Sequence, residues 1–197
     1  MKQSEIDNLQ DKLNEHLQNL VKDIPFYIIK IGCFFDSDKD IRTKERYIND
    51  KGEPKIRKKK DPKKGLTNAE IMFIMENGSP MNNIPHRPVL KKTVKYAQDN
   101  LRDKFLIRAL KEYFSHNMDL KYFEDQLLIM CMEMEKYAKK GIRRRELGLI
   151  PNKLSTIEKK HSDIPLLDTG QLANSIQARL YRYGTEEVKT NKEDIGV

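Results

Sequence analysis

The stretch that decides the fold is residues 119–146, which read DLKYFEDQLLIMCMEMEKYAKKGIRRRE. Its apolar side chains recur at alternating spacings of three and four residues, as on one face of an α-helix. The stretch therefore predicts a long amphipathic helix. From 127 to 134 the apolar surface widens, so we expect core packing on more than one side, with an adaptable methionine-rich binding surface as the alternative. The stripe consists of Leu120, Phe123, Leu127, Met130, Met134 and Tyr137.

Three more segments show the same period. A second long helix is predicted over 88–115, where Pro88 suits the first helical turn. An amphipathic helix is predicted over 4–24, ended by Pro25, and a shorter helix over 67–77. The expected caps are Thr67 or Asn68 for the helix over 67–77 with Gly78 at its end, Ser155 with Glu158 for a short helix over 155–161, and Thr169 for a short helix over 170–176.

Strand patterns lie near both ends of this helical region. Residues 26–36 (FYIIKIGCFFD) and 177–183 (QARLYRY) are rich in β-branched and aromatic residues or alternate in polarity, which predicts strands. Residues 37–64 predict a β-hairpin with an exposed, basic far arm, and Pro54 and Pro62 place it at an edge. A disordered loop is the alternative there.

These patterns predict an α+β fold rather than a parallel α/β sheet. It comprises an N-terminal helix, a small antiparallel sheet with a protruding β-hairpin, long helices in the middle and a C-terminal strand. We expect a single domain over 1–184, with the hairpin excursion at 37–64, and a polar tail over 185–197. The absence of a signal-peptide pattern and of a long apolar run predicts a soluble protein.

The composition limits the size of the core. Of 197 residues, 38% are hydrophobic and 35% are charged, which predicts a modest core and suggests that neighbouring subunits bury further apolar surface. Cys33 and Cys131 each lie in an apolar run and are expected to be buried free thiols.

Basic residues are concentrated in two segments. Residues 55–64 carry a net charge of +6 and residues 139–145 carry +5, whereas the whole chain carries +8. These segments favour contact with DNA phosphates or with an acidic neighbouring protein, and solvated charge runs are the plain alternative. The candidate contact residues are Arg57, Lys58, Lys59, Lys60, Arg143, Arg144 and Arg145.

Catalytic and metal-binding motifs are missing from the sequence. None of the four histidines has a second ligand at metal-site spacing, and no phosphate-binding loop or nucleophile elbow occurs. We therefore expect no enzyme activity, no metal and no cofactor. A site built from two carboxylates is the one enzymatic alternative that the sequence leaves open.

Two other motifs are structural. In the first, Glu76-Asn77-Gly78 precedes the segment 84–88 (IPHRP), in which Pro85 and Pro88 stiffen the backbone around Arg87. The helix dipole disfavours a cation at a helix start, so Arg87 is expected to turn toward a carboxylate or a carbonyl, in this chain or in a neighbour. The second motif joins 151–157 (PNKLSTI) to 165–176 (PLLDTGQLANSI), where Asp168, Thr169 and Gly170 predict a capped hinge before the last strand.

Together, in this order, the two motifs resemble the neck and tail-completion (virion morphogenesis) proteins of tailed bacteriophages. In that family an acidic residue and a glycine precede I-P-x-R-P-[FV]-L, and P-x-x-x-S-T-I and P-L-[IL]-D-T-G-Q-L-x-x-S-I follow a helical middle. The resemblance covers residues 66–183; His86, Val89 and the long region at 37–64 depart from the family pattern.

The resemblance implies a small α+β protein of the virion neck that is assembled in the host cytoplasm and has no catalytic role, cofactor or membrane association. It implies a ring of six or twelve copies that joins the portal and its adaptor proteins to the tail tube or the tail terminator, with DNA in the channel. The residues that it implies for assembly are Pro85, Arg87, Pro88, Asp168, Thr169 and Gly170.

Overall fold

The structure is a computed structural model that describes residues 24–35, 41–60, 65–116 and 119–183, together with Lys12, Glu15 and Val188. The predicted helix over 4–24 lies outside the described residues, except that Lys12 and Glu15 are helical. The predicted tail over 185–197 also lies outside them, apart from Val188.

The described part of the chain mixes helices and antiparallel strands, which confirms the predicted α+β class. Its elements are β1 (Tyr27–Gly32), β2 (Lys44–Ile48), β3 (Pro54–Lys58), α1 (Asn68–Asn77), α2 (Val89–Tyr96), α3 (Arg108–His116), α4 (Leu120–Arg144), α5 (Leu154–Lys160), α6 (Gln171–Ser175) and β4 (Gln177–Arg182).

Helix α4 runs through the whole core. Its first half packs against Ala109 and Leu180, its middle packs against the helix after α2, and its last turns pack against α1 and α6. Met130 and Met134 are 8% and 4% exposed, so the methionine-rich stretch is core, as we expected. Each such side chain stabilises the fold by about 1.5–3 kcal/mol relative to an exposed position. The buried members of α4 are Phe123, Leu127, Met130, Cys131, Met134, Ala138, Gly141 and Ile142.

The second long helix is not a uniform α-helix. α2 continues into a π-helical segment, Ala97–Ile107, and then into α3. Buried residues occur here at constant spacings of four, at Ala97, Leu101, Phe105 and Ala109. A period of four exceeds the 3.6 residues of an α-helical turn, so a wider winding keeps all four side chains facing α4.

Strands β1 and β4 bring the two ends of the described chain together. They pair antiparallel from Tyr27 opposite Arg182 to Gly32 opposite Gln177. The pair lies against α4, where fully buried Leu180 joins the core and Ala178 donates its backbone N–H to Glu135 at 2.8 Å. Both strands are confirmed, although β1 is shorter than the predicted 26–36.

Strands β2 and β3 form the predicted hairpin. The turn is at 49–53, where the Asn49 side chain accepts hydrogen bonds from the backbone of Lys51 and Glu53. Lys58 therefore pairs with Lys44 at the start of the hairpin, and Lys59 donates its N–H to the Thr43 carbonyl. The second arm, β3, carries the exposed basic residues Lys55, Arg57 and Lys58, which confirms the predicted exposed, basic arm, and the basic run ends at the base of the hairpin.

One of the three predicted caps at helix starts is present, and Gly78 ends α1 as predicted. Thr67 and Glu70 form a reciprocal capping box at the start of α1. The Ser155–Glu158 box is wrong, because α5 begins earlier and Lys153 is its cap residue, without a side-chain hydrogen bond in the described structure. Thr169 does not cap α6, because Gly170 occupies the cap position and the Thr169 hydroxyl accepts a hydrogen bond from the Gln171 amide instead.

Candidate functional site

The guanidinium of Arg87 joins the two sequence motifs. Only 7% of Arg87 is exposed. Its Nε donates to the Ile150 carbonyl at 2.8 Å, and its Nη2 donates to the Pro151 carbonyl at 3.1 Å and to the Asn152 Oδ1 at 3.3 Å. Burial lowers the pKa of Arg87 from its ordinary value. Of the two acceptors we expected, a carboxylate or a carbonyl, the structure has carbonyls of the same chain.

Glu76 closes the loop between α1 and α2. Its carboxylate is 7% exposed and accepts the backbone N–H of Leu90 at 2.9 Å and of Lys91 at 2.8 Å. These two N–H groups lie in the first turn of α2, where no intrahelical acceptor exists and a negative charge is favourable. Sequence reasoning included Glu76 in the first motif but gave it no role, because its target lies 14 residues further along.

Gly78 allows this loop to fold back on itself. Its backbone angles, φ 74° and ψ 173°, belong to a region that only glycine adopts readily. An added Cβ would lie 3.0 Å from the His86 nitrogen and 3.2 Å from the Ile84 oxygen. Ser79 and Ile84 exchange two backbone hydrogen bonds of 2.9 Å across the loop. The loop that presents Arg87 is therefore fixed at both ends.

Asn152 extends the connection into the second motif. While its Oδ1 accepts from Arg87, its Nδ2 donates to the Ile164 carbonyl at 3.2 Å. The segments before α5 and after α5 are thus tied to the same guanidinium. Sequence reasoning named the surrounding segment 151–157 but did not single out Asn152.

Gln171 ties the hairpin to the second motif. Its Oε1 accepts the N–H of Thr43 at 2.7 Å and of Lys44 at 3.0 Å, and its Nε2 donates to the Lys44 carbonyl at 2.8 Å. The side-chain amide thereby pairs with β2 as another strand's backbone would. Gly170, at φ 78° and ψ −5°, turns the chain so that Gln171 opens α6. The predicted tight turn at Gly170 is confirmed.

These bonds enclose a cleft of about 510 Å³. It lies between α1, the loop before α2, α5 and the turn before α6. Five of the six residues named for assembly line it, whereas Pro88 lies beside it as the cap residue of α2. Arg42, Asn152 and Gln171 also line it and were missed by the sequence analysis, which had no local signal for them. The five are Pro85, Arg87, Asp168, Thr169 and Gly170.

Helix α6 is linked to both basic segments, directly to Arg143 and through Lys44 to Lys58. The base of the hairpin binds Gln171, and the Arg143 guanidinium binds the Asn174 side chain one helical turn further on. Residues three apart share a helix face, so Gln171 and Asn174 hold these two links on the same side of α6. We call this surface the basic band and define it as Lys58, Lys59, Lys60, Arg143, Arg144 and Arg145.

Intrachain partners reduce the charge of some predicted contact residues. Arg57 pairs with Glu45 at 2.9 Å and lies 4.7 Å over the Tyr47 ring, and Arg145 pairs with Asp163. Lys58, Lys60 and Arg144 are exposed.

Among the described residues, no group of three or more histidine, cysteine, aspartate or glutamate side chains is arranged to hold a metal ion. No helix in that part of the chain combines the length and the apolar character needed to cross a membrane. Comparison with known proteins finds no matching family model, no matching curated protein and no matching solved structure.

We expect Arg87→Met to destabilise the fold by about 2–4 kcal/mol, because three acceptors lose a buried, charged donor. Urea unfolding followed by circular dichroism measures this loss. Arg102→Met is the matched control, since Arg102 is exposed and pairs with its neighbour Asp103; it should cost less than about 0.5 kcal/mol. Equal midpoints for the two variants would contradict the role of Arg87.

Alanine substitutions at Gly78 and Gly170 should lower the free energy of unfolding by different amounts. Gly170→Ala meets open space and suffers only left-handed backbone strain, about 1–2 kcal/mol. Gly78→Ala adds close contacts with Ile84 and His86 to a more forbidden conformation, so it should cost about 3 kcal/mol or more. Thermal melting orders the two variants, and a more stable Gly78→Ala would refute the assigned geometry.

Proposed function

We propose that the chain is a non-enzymatic assembly protein of the head–tail neck of a tailed bacteriophage, where copies of it form a ring. The observation that carries the proposal is the convergence of both family-like motifs on one cleft around Arg87. Residues of a catalytic centre would converge on reacting atoms. Here they bind each other's backbone, which fixes the shape of a surface.

Exposed apolar side chains at the rim of this cleft support a role in contact with other proteins. Met81 is 99% exposed and Leu154 is 78% exposed, and both adjoin residues that line the cleft. Single exposed apolar residues are ordinary on protein surfaces, but these two flank one concave site. Burial against a neighbouring subunit would remove both from water.

The hairpin supports the same role. Ile48 and Ile56 are about half exposed, and the strand register places them on one face of β2 and β3. Among the described residues the two strands pair with no other strand, so β3, and β2 beyond the Gln171 contact at Lys44, present outer edges that a neighbouring chain can extend. Gln171 holds the base of this arm, which limits the freedom lost when the arm docks.

The partners and the copy number follow from the resemblance. A ring of six or twelve copies would contact the portal and adaptor proteins on one side and the tail tube or tail terminator on the other. The chain would then be found in the virion after assembly in the host cytoplasm.

The ring is tested by mass and shape. We expect the purified chain, alone or mixed with purified phage heads or tails, to give closed rings of about six or twelve copies by native mass spectrometry and electron microscopy. Ile48→Asp combined with Ile56→Asp should leave a monomer with unchanged melting. Lys51→Asp combined with Lys55→Asp, at the turn and on the opposite face, should still form rings. A wild-type chain that stays monomeric, both alone and mixed with phage heads or tails, would contradict the proposal.

A second candidate function is nucleic-acid binding by the basic band. The supporting observation is that Lys58, Lys60 and Arg144 are exposed on two segments that are linked to one side of α6. The two functions are compatible, because a neck ring encloses DNA. The band could equally steer the chain onto an acidic neighbouring ring.

The basic band is tested by its salt dependence. Neutralising Lys58, Lys60 and Arg144 to glutamine should reduce the slope of log K against log salt by about 2.7 for a duplex oligonucleotide, since each phosphate contact contributes about 0.9. Fluorescence anisotropy measures the slope. The matched control changes the exposed Lys95, Lys111 and Lys121 to glutamine and alters the net charge equally. Equal changes in both triple variants would remove this function.

A further inference from the structure

Arg42 holds a buried donor without an acceptor. Its Nε is buried and has no hydrogen-bond partner among the described residues. The next residues, Thr43 and Lys44, are fixed by the side chain of Gln171, so the backbone of Arg42 cannot move freely to find one. Buried donors are satisfied in most proteins, so the guanidinium of Arg42 has hydrogen-bonding capacity that the described residues leave unused.

The cleft beside Arg42 has the chemistry of a binding site. Its cationic lining comes from Arg42, Lys153 and Lys160, against the single carboxylate of Asp168. The other charged lining residue, Arg87, uses its donors to hold the loops. Charge complementarity therefore favours an anionic occupant, and a guanidinium is best matched by a planar carboxylate.

About half of the uncharged lining residues are apolar. Ile71, Met75, Ile84 and Leu166 form part of the wall, and the cleft of about 510 Å³ is far larger than one carboxylate. Pockets of roughly 300–1,000 Å³ hold ligands that bury several groups together. An occupant with both acidic and apolar side chains fits this lining.

We infer that the cleft binds a peptide segment of a partner protein that carries both acidic side chains and apolar side chains such as leucine. A glutamate or aspartate carboxylate of that segment pairs with the cationic side chain of Arg42, which lines the cleft. Flanking apolar side chains of the segment lie against Met75 and Ile84. Nucleic acid fits less well, because none of the described residues that line the cleft is aromatic and bases would have no stacking surface.

This inference stands apart from the proposed ring, because the cleft could bind a peptide in a monomer. The probe is a fluorescein-labelled nine-residue peptide that alternates glutamate and leucine. Two matched peptides replace glutamate by glutamine or leucine by serine. Fluorescence anisotropy should show about tenfold or greater weakening with either replacement, since each removes one of the two complementary features.

Variants of the protein locate the binding. Arg42→Gln should weaken the glutamate–leucine peptide about tenfold, and Arg42→Lys should weaken it less, because a point charge keeps the attraction without the planar fork. Arg102→Gln is the control and should bind like wild type. Melting curves confirm that each variant is folded, and ring formation is read separately from mass.

Three results would overturn the inference. The first is equal binding of the glutamate and glutamine peptides, and the second is unchanged binding in folded Arg42→Gln. The third is loss of peptide binding in the triple variant of Lys58, Lys60 and Arg144 with displacement by duplex DNA, which would place the peptide on the basic band. If peptide binding fails while rings still form, only the inference about the cleft is rejected. If the chain is a monomer that binds the peptide, only the proposed ring is rejected.

Discussion

The structure depends on the buried guanidinium of Arg87, which connects segments 63 to 65 residues apart. Removing a charged group from water is costly unless hydrogen bonds compensate it. Two backbone carbonyls and the Asn152 amide supply that compensation. Because carbonyls keep their direction only if the backbone is fixed, the guanidinium and both loops stabilise each other. The cleft exists because none of these three parts can move without the others.

Apolar packing and polar bonding have separate tasks in this chain. Helix α4 contributes to all three core clusters and stabilises the body. The polar side chains of Glu76, Arg87 and Gln171 each bind backbone groups outside their own element. Apolar burial is not directional, whereas a hydrogen bond fixes the position of its partner. The core thus stabilises the fold, and these three side chains fix the positions of the loops and the hairpin.

Sequence reasoning found the elements whose signal is local. The stripe of α4 and the strands β1 and β4 follow from periodicity within one segment, and Pro85 and Gly170 mark turns by their own geometry. It missed the contacts of Gln171 with Thr43, because a pair of residues separated by 128 positions leaves no pattern in either segment. The Ser155–Glu158 capping box was predicted wrongly because the same sequence also forms a helix that begins one residue earlier, at Leu154.

Helix α6 has five residues, yet it links the cleft to the basic band. Gln171 lines the cleft and binds the base of the hairpin, and Asn174 binds Arg143 on the same helix face. Arg42 directly precedes Thr43, and Lys58 pairs with Lys44, so both cations are attached to the strand end that Gln171 holds. A partner that pulled on the hairpin would displace Arg42 and Lys58 together. The proposed docking of the arm and the proposed occupation of the cleft would thus involve neighbouring residues of the strand end that Gln171 holds.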